Sequence, residues 1–265
     1  MKQLIRGEIT RLFATRLPRW AALAAVGCGA GLTGLLAFIG PEHASPPMPG
    51  IDTPEGVGIV VGITGVLLFV PALLGTIAVT GEYRHRTIGT TFLAVPRRGR
   101  VLRAKLVVYG VFGLAYGVTA SLASGIALTA AVLARGVDLP VSVGSLVTLL
   151  LQLAIAAAVY MVLGVGIGAL ARNQLLAIGI VLGYFYFLEY VLMILPGVNV
   201  IYPFLPGGAT ASLTSFTFLS STIADQNSLG TPTLLPAAAG ALILAGYAAA
   251  AAGIATLVPL RRDLS

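Results

Sequence analysis

The sequence predicts an all-α membrane protein of six transmembrane helices with both termini cytoplasmic, and three observations predict it. Of 265 residues 57% are hydrophobic and 9% charged, where a soluble domain is about a quarter charged, and the mean hydropathy is +0.97. Six apolar runs reach the roughly 20 residues that a helix needs to cross about 30 Å of hydrocarbon. The basic residues gather in alternate connections, the pattern of cytoplasmic loops. Five precede the first run, seven lie between the second and third, and Arg172, Arg261 and Arg262 follow the fourth and sixth. Of the 16 only Arg135 falls on the other side.

The first element is residues 1–19. Ile5, Ile9, Leu12 and Phe13 share one arc of a helix with Arg6 and Arg11 off it, which suits an amphipathic helix in the cytoplasmic interface. Lys2 and Arg16 blur the arc, and the alternative is a basic tail that only sets topology. A basic start before an apolar run is also the shape of a signal peptide. Glu42 stands where a small residue is needed before Ala44, so Trp20–Ile39 reads as the first span. Its Cys28 is the single cysteine, has no intramolecular partner, and reads as a small packing residue.

The remaining spans are Val57–Thr80, Leu106–Leu133, Val143–Leu170, Leu175–Leu195 and Leu234–Val258, leaving little room for a soluble domain. The first outer loop, Gly40–Gly56, holds Pro41, Pro46, Pro47, Pro49 and Pro54 and is expected to be irregular. The outer segment 196–233 mixes "VNVIYPFLP" and "SFTFL" with Ser, Thr, Gly and Pro. Too polar to span and too apolar for a linker, it is expected to re-enter the outer leaflet, where irregular backbone survives only buried in protein or facing water. Neither outer segment contains Lys or Arg.

Several functions are set aside. The net charge of +7 does not spread over a soluble, aromatic-interleaved face, so nucleic acid is not a partner. Gly29, Gly31 and Gly34 match a dinucleotide loop but lie inside an apolar span rather than between strand and helix. Glycines four apart, at 27 and 31, 58 and 62, 113 and 117, and 164 and 168, instead suit close helix packing. The only lysines, Lys2 and Lys105, belong to no P-loop. His43 and His85 fall on opposite sides of the membrane and form no metal-ligand spacing. No catalytic residue, metal site or cofactor is expected in this chain.

Glu189, in "GYFYFLEYVLMILPG", is an ionisable residue 14 positions into its span, about 21 Å along the helix and so toward the outer leaflet. An intramembrane carboxylate is costly and points to function by default, here a cationic substrate or a proton. Glu189 and Tyr186 are the candidate substrate-pathway residues. The plainer alternative is a protonated Glu189 hydrogen-bonded to Tyr184, Tyr186 or a neighbouring helix.

The loop over residues 81–105, within "TGEYRHRTIGTTFLAVPRRGRVLRAKL", concentrates charge in a chain that is otherwise poor in it. Glu82 favours the positive end of a helix dipole, Glu82 and Arg86 are spaced i,i+4, and Pro96 marks a stop. Tyr83, Thr87 or Ile88, Phe92 and Val95 make an apolar face. This order of Glu, basic residues, Thr, hydrophobic patch, Pro with basic residues and Lys resembles the cytoplasmic loop of type-2 ATP-binding-cassette (ABC) transporter permeases. So does the basic start, the six spans, and "LEYVLMILPGVNVIYPFLPGGA" before a long outer segment.

The resemblance implies a bacterial cytoplasmic-membrane permease subunit that pairs with a second copy or a homologous permease. A separate P-loop ATPase, carrying ATP and Mg, would dock beneath it. It implies a coupling helix over Glu82–Thr91, and the expected docking residues are Glu82, Tyr83, Arg84, Arg86, Thr87, Ile88 and Phe92; on this expectation Tyr83, Ile88 and Phe92 fill an apolar groove of the ATPase while Arg84 and Arg86 meet acidic groups on its rim. It also implies a re-entrant segment over Asn199–Ser228 and export of a hydrophobic or amphiphilic drug, lipid or peptide. Two other expectations stay open: a membrane anchor gripping anionic lipid with its basic loop, and a proton-coupled secondary transporter using Glu189.

Overall fold

The computed structural model describes residues 1–45, 47–84, 98–171, 173–195, 197–227 and 233–257. Among them every regular element is a helix, and six are long and apolar enough to cross a membrane: Leu17–Ile39, Pro54–Arg84, Gly99–Arg135, Val143–Ala171, Gln174–Ile194 and Ala237–Ile254.

Helix α1 (Lys2–Ala14) precedes the first span, α2 (Leu17–Ile39). The predicted α1 arc is only partly turned inward. Leu12 and Glu8 are buried and Ile5 packs on the core, whereas Ile9 and Phe13 are exposed. An acidic side chain holds the centre of the inward face, because Lys105 waits beneath it.

The second span starts earlier than its hydropathy suggests. Thr53 accepts a hydrogen bond from the Gly56 amide and Pro54 takes the first turn of α3 (Pro54–Gly62), where proline's missing N–H costs nothing. A 3₁₀ stretch, Ile63–Leu68, joins α3 to α4 (Phe69–Arg84). It lies just before Pro71, which cannot donate to the carbonyl four residues back.

The third and fourth spans are α5 (Arg98–Arg135) and α6 (Val143–Ala171). The fifth is α7 (Gln174–Leu182), a π-helical turn (Gly183–Leu188) and α8 (Glu189–Ile194). After a 3₁₀ turn, Asn199–Phe204, come α9 (Pro206–Thr214), α10 (Phe218–Asn227) and the last span, α11 (Ala237–Leu257).

Helix α6 is the hub, packed against α4, α5, α9 and α11. Small residues set these contacts. A Cβ on Gly164 would lie 1.9 Å from the Ala72 carbonyl oxygen, and one on Gly75 2.1 Å from that of Met161. The Thr76 hydroxyl donates to the Gly164 carbonyl at 2.9 Å in the same contact. Of the expected glycine pairs, 113 with 117 and 164 with 168 pack closely, whereas Gly27, Gly31 and Gly58 face open space. On α2 the packing stripe runs instead through Ala21, Ala25, Gly29, Thr33 and Ala37. The outer surface is apolar: Val111, Leu122 and Ile126 of α5 are each more than half exposed.

The bundle has two distinct ends. One, the basic end, carries α1, the close of α4 and the start of α5; the far end carries residues 40–45, 47–53, 136–142, 197–227 and 233–236.

Candidate functional site

At the basic end, four charges from three elements meet beneath α1. Lys105 Nζ lies 2.8 Å from Glu8 Oε2 and 2.8 Å from Glu82 Oε1. Arg11 reaches Glu82 at 2.7 Å and Glu8 at 3.4 Å. Two cations balance two carboxylates, and Lys105 is 2% exposed, so each charge that leaves water finds an opposite partner. The Tyr109 ring, 5.6 Å from Nζ, closes the cluster on the membrane side.

This places the expected docking residues unequally. Glu82 is buried and turned toward Lys105 and Arg11. Tyr83 packs partly on the core, while Arg84 is exposed and donates to Gln174 Oε1 at 3.2 Å. All three sit in the last turn of α4 rather than opening a separate helix. Arg86, Thr87, Ile88 and Phe92 lie outside the described residues. Tyr83 and Arg84 border an open recess of about 440 Å³ with Asn173, Gln174, Leu175 and Ile178.

Toward the far end, Glu189 is 4% exposed. The Gly207 amide donates to both its oxygens, at 3.1 and 3.2 Å. The local sequence explains this meeting. Pro206 starts α9 without an N–H, so Gly207 offers the first amide, and the helix dipole favours a carboxylate there. Glycine also makes the room, since a Cβ on Gly207 would fall 2.4 Å from Glu189 Oε2. Helix α9 is buried along nearly its whole length, and its hydroxyls are satisfied locally: Thr210, Ser212 and Thr214 each donate to the carbonyl four residues back.

A small cavity of about 40 Å³ adjoins this carboxylate. The 3₁₀ stretch of span two contributes Gly65 and Val66, the π-helical turn of span five contributes Phe185, α8 contributes Glu189 and Tyr190, and Tyr160, Tyr202 and Thr210 complete its polar wall. Non-α backbone from two different spans therefore faces one space, an arrangement often found at functional positions. Burial, and then the Glu189 carboxylate, push the Tyr202 hydroxyl well above its ordinary value, so it remains a hydrogen-bond donor. Tyr186 is not part of this wall. Its ring is exposed and packs edge-on against Phe69, 5.4 Å between centroids.

Sequence reasoning singled out Glu189 but not Tyr160, Tyr202, Gly207 or Phe216, nor the Glu8–Lys105 pairing. The run "PGGATAS" carried the available signal, a proline start followed by residues small enough for a buried helix. Also at the far end, Arg135 binds Glu42 and donates to the Ala37 carbonyl at 3.2 Å. Among the described residues no group of His, Cys, Asp and Glu forms a metal-ligand set. Compared with family models and with curated proteins, the chain matches none.

Proposed function

We propose that this chain is the membrane-spanning permease subunit of an ABC transporter, moving a hydrophobic or amphiphilic substrate outward while a separate cytoplasmic ATPase hydrolyses ATP. The observation that carries the reading is the ion cluster of buried Glu8, Glu82 and Lys105 with the exposed Arg11 at its rim. It ties α1 to both helices that bracket the basic loop, so a push on that loop moves α1, span two and span three together. The recess beside Tyr83 and Arg84 supports the same reading, because it offers a partner a seat at the end of span two. In this reading a second permease copy, or a homologous permease, completes the transporter, with both termini on the ATPase side.

The test is purification of the tagged chain from its native membrane in mild detergent, with ATPase activity measured on the eluate. A co-purifying P-loop protein, whose activity loses its link to transport when Arg84 and Arg86 are both changed to Glu, supports the permease. An eluate without ATPase rejects it.

A second reading is a non-transporting anchor that grips anionic lipid. Exposed Arg16, Arg19 and Trp20, beside exposed Ile9 and Phe13, favour it, since such a surface seats at a charged interface. Under that reading vesicle binding through α1 depends on phosphatidylserine, and no ATPase accompanies the protein.

A further inference from the structure

The Glu189 cavity is not isolated from the surface. An open groove of about 610 Å³ lies at the far end between the start of span two and the segment after α9, within the 300–1,000 Å³ range of small-molecule sites. Ile59 and Phe218 give it apolar wall, Thr217, Ser221 and Thr222 give it hydroxyls, and Glu55 stands at its edge. Thr214 and Phe216 line both the groove and the Glu189 cavity. The Phe216 ring rests on Gly62, where a Cβ would come within 2.4 Å of Cδ2. Thr214 and Phe216 are therefore shared by the two spaces, with the Phe216 ring held over a glycine.

We propose that groove and cavity form a single binding path for a primary amine carried on an apolar chain, with the ammonium group seated against Glu189. Three features select this chemistry. Among the described residues no Lys or Arg lines either space, and the acids on their walls are Glu189 and Glu55. Arg135, the one Lys or Arg in the connections of this end, is already engaged by Glu42 and the Ala37 carbonyl. The cavity wall is rich in aromatic rings, Phe69, Tyr160, Phe185, Tyr190 and Tyr202, whose faces attract a cation. The cavity is small enough to favour a compact ammonium over a bulky quaternary head, while the wide groove suits the apolar body. As the route of a transported substrate the path rests on the permease reading; as a binding site it stands independently.

The test uses the full chain in phosphatidylcholine nanodiscs, titrated calorimetrically with octylamine and with octanol as the uncharged control. Octylamine is expected to bind saturably and octanol not. Glu189→Gln is expected to weaken the amine at least about ten-fold, the loss of one charge-assisted hydrogen bond. Equal binding of octanol, or unchanged affinity in Glu189→Gln, overturns the proposal. A second measurement leaves Glu189 in place: Thr214→Cys in a Cys28→Ala background is alkylated with N-ethylmaleimide. Octylamine is expected to slow the reaction, and absence of protection overturns the proposal equally. Amine binding without a co-purifying ATPase would reject only the permease, and an ATPase partner without amine binding would reject only this site.

Discussion

The Nζ of Lys105 lies 2.8 Å from the Glu8 carboxylate across 97 residues of chain, and Glu82 approaches the same ammonium from span two. Removing the cation alone would strip two buried carboxylates of the ammonium they share. Lys105→Met is therefore expected to destabilise the protein by about 3–5 kcal/mol, the cost of breaking a buried ion pair. Adding Glu8→Gln to Lys105→Met should recover part of that loss, because one stranded charge is gone. Unfolding midpoints of the two variants in detergent check this; a Lys105→Met protein as stable as the parent would show that the cluster does not hold α1.

The span assignments were legible because six apolar runs and alternating basic connections are one-dimensional signals. The ion cluster was not. A hydrophobic-arc reading of α1 treats Glu8 as an interruption, and nothing local says that its partner is residue 105. Glu82 illustrates the same limit: as a first-turn acid it suited the start of a loop helix, but a buried lysine across the bundle gave it a place in the last turn of α4. Helix α9 was legible only as a segment too apolar for a linker. It is buried by packing against α6 and α11, and its Gly207 meets Glu189 across 18 positions; neither contact is visible locally.

At the far end, Glu42 is held below its ordinary value of 4.5, first by a backbone hydrogen bond and then by Arg135, against the opposing effect of burial. A depressed carboxylate contributes stability that is fully present above its unfolded value and is lost as pH falls through the folded one. Glu42→Gln should accordingly be less stable than the parent at pH 7, with the difference shrinking once pH drops below 4.5. Thermal unfolding of both proteins from pH 7 to pH 3 measures it; a difference that grows on acidification contradicts the assignment.

The contact between spans two and four permits a sharper comparison. Gly164 has no room for a Cβ beside the Ala72 carbonyl, whereas Gly27 meets nothing within 4 Å. Gly164→Val should cost roughly 1–3 kcal/mol or more by overpacking, and Gly27→Val should change stability little. Equal effects of the two substitutions, read from detergent unfolding midpoints, would mean that helix propensity rather than interhelical contact governs both.

Phe216 and Gly62 supply the last comparison. The ring sits where a Gly62 side chain would be, so Gly62→Ala must move it, and the ring is a wall shared by the groove and the Glu189 cavity. Gly31 on α2 meets nothing within 4 Å and lines neither space, so it provides the control with the same change in side chain. In the Thr214→Cys, Cys28→Ala background, Gly62→Ala is expected to raise the alkylation rate several-fold and Gly31→Ala to leave it unchanged. Equal rates in the two variants would show that Phe216 does not limit access. A faster rate in Gly62→Ala alone would identify the ring as the barrier between groove and carboxylate, since Gly31→Ala displaces no neighbour.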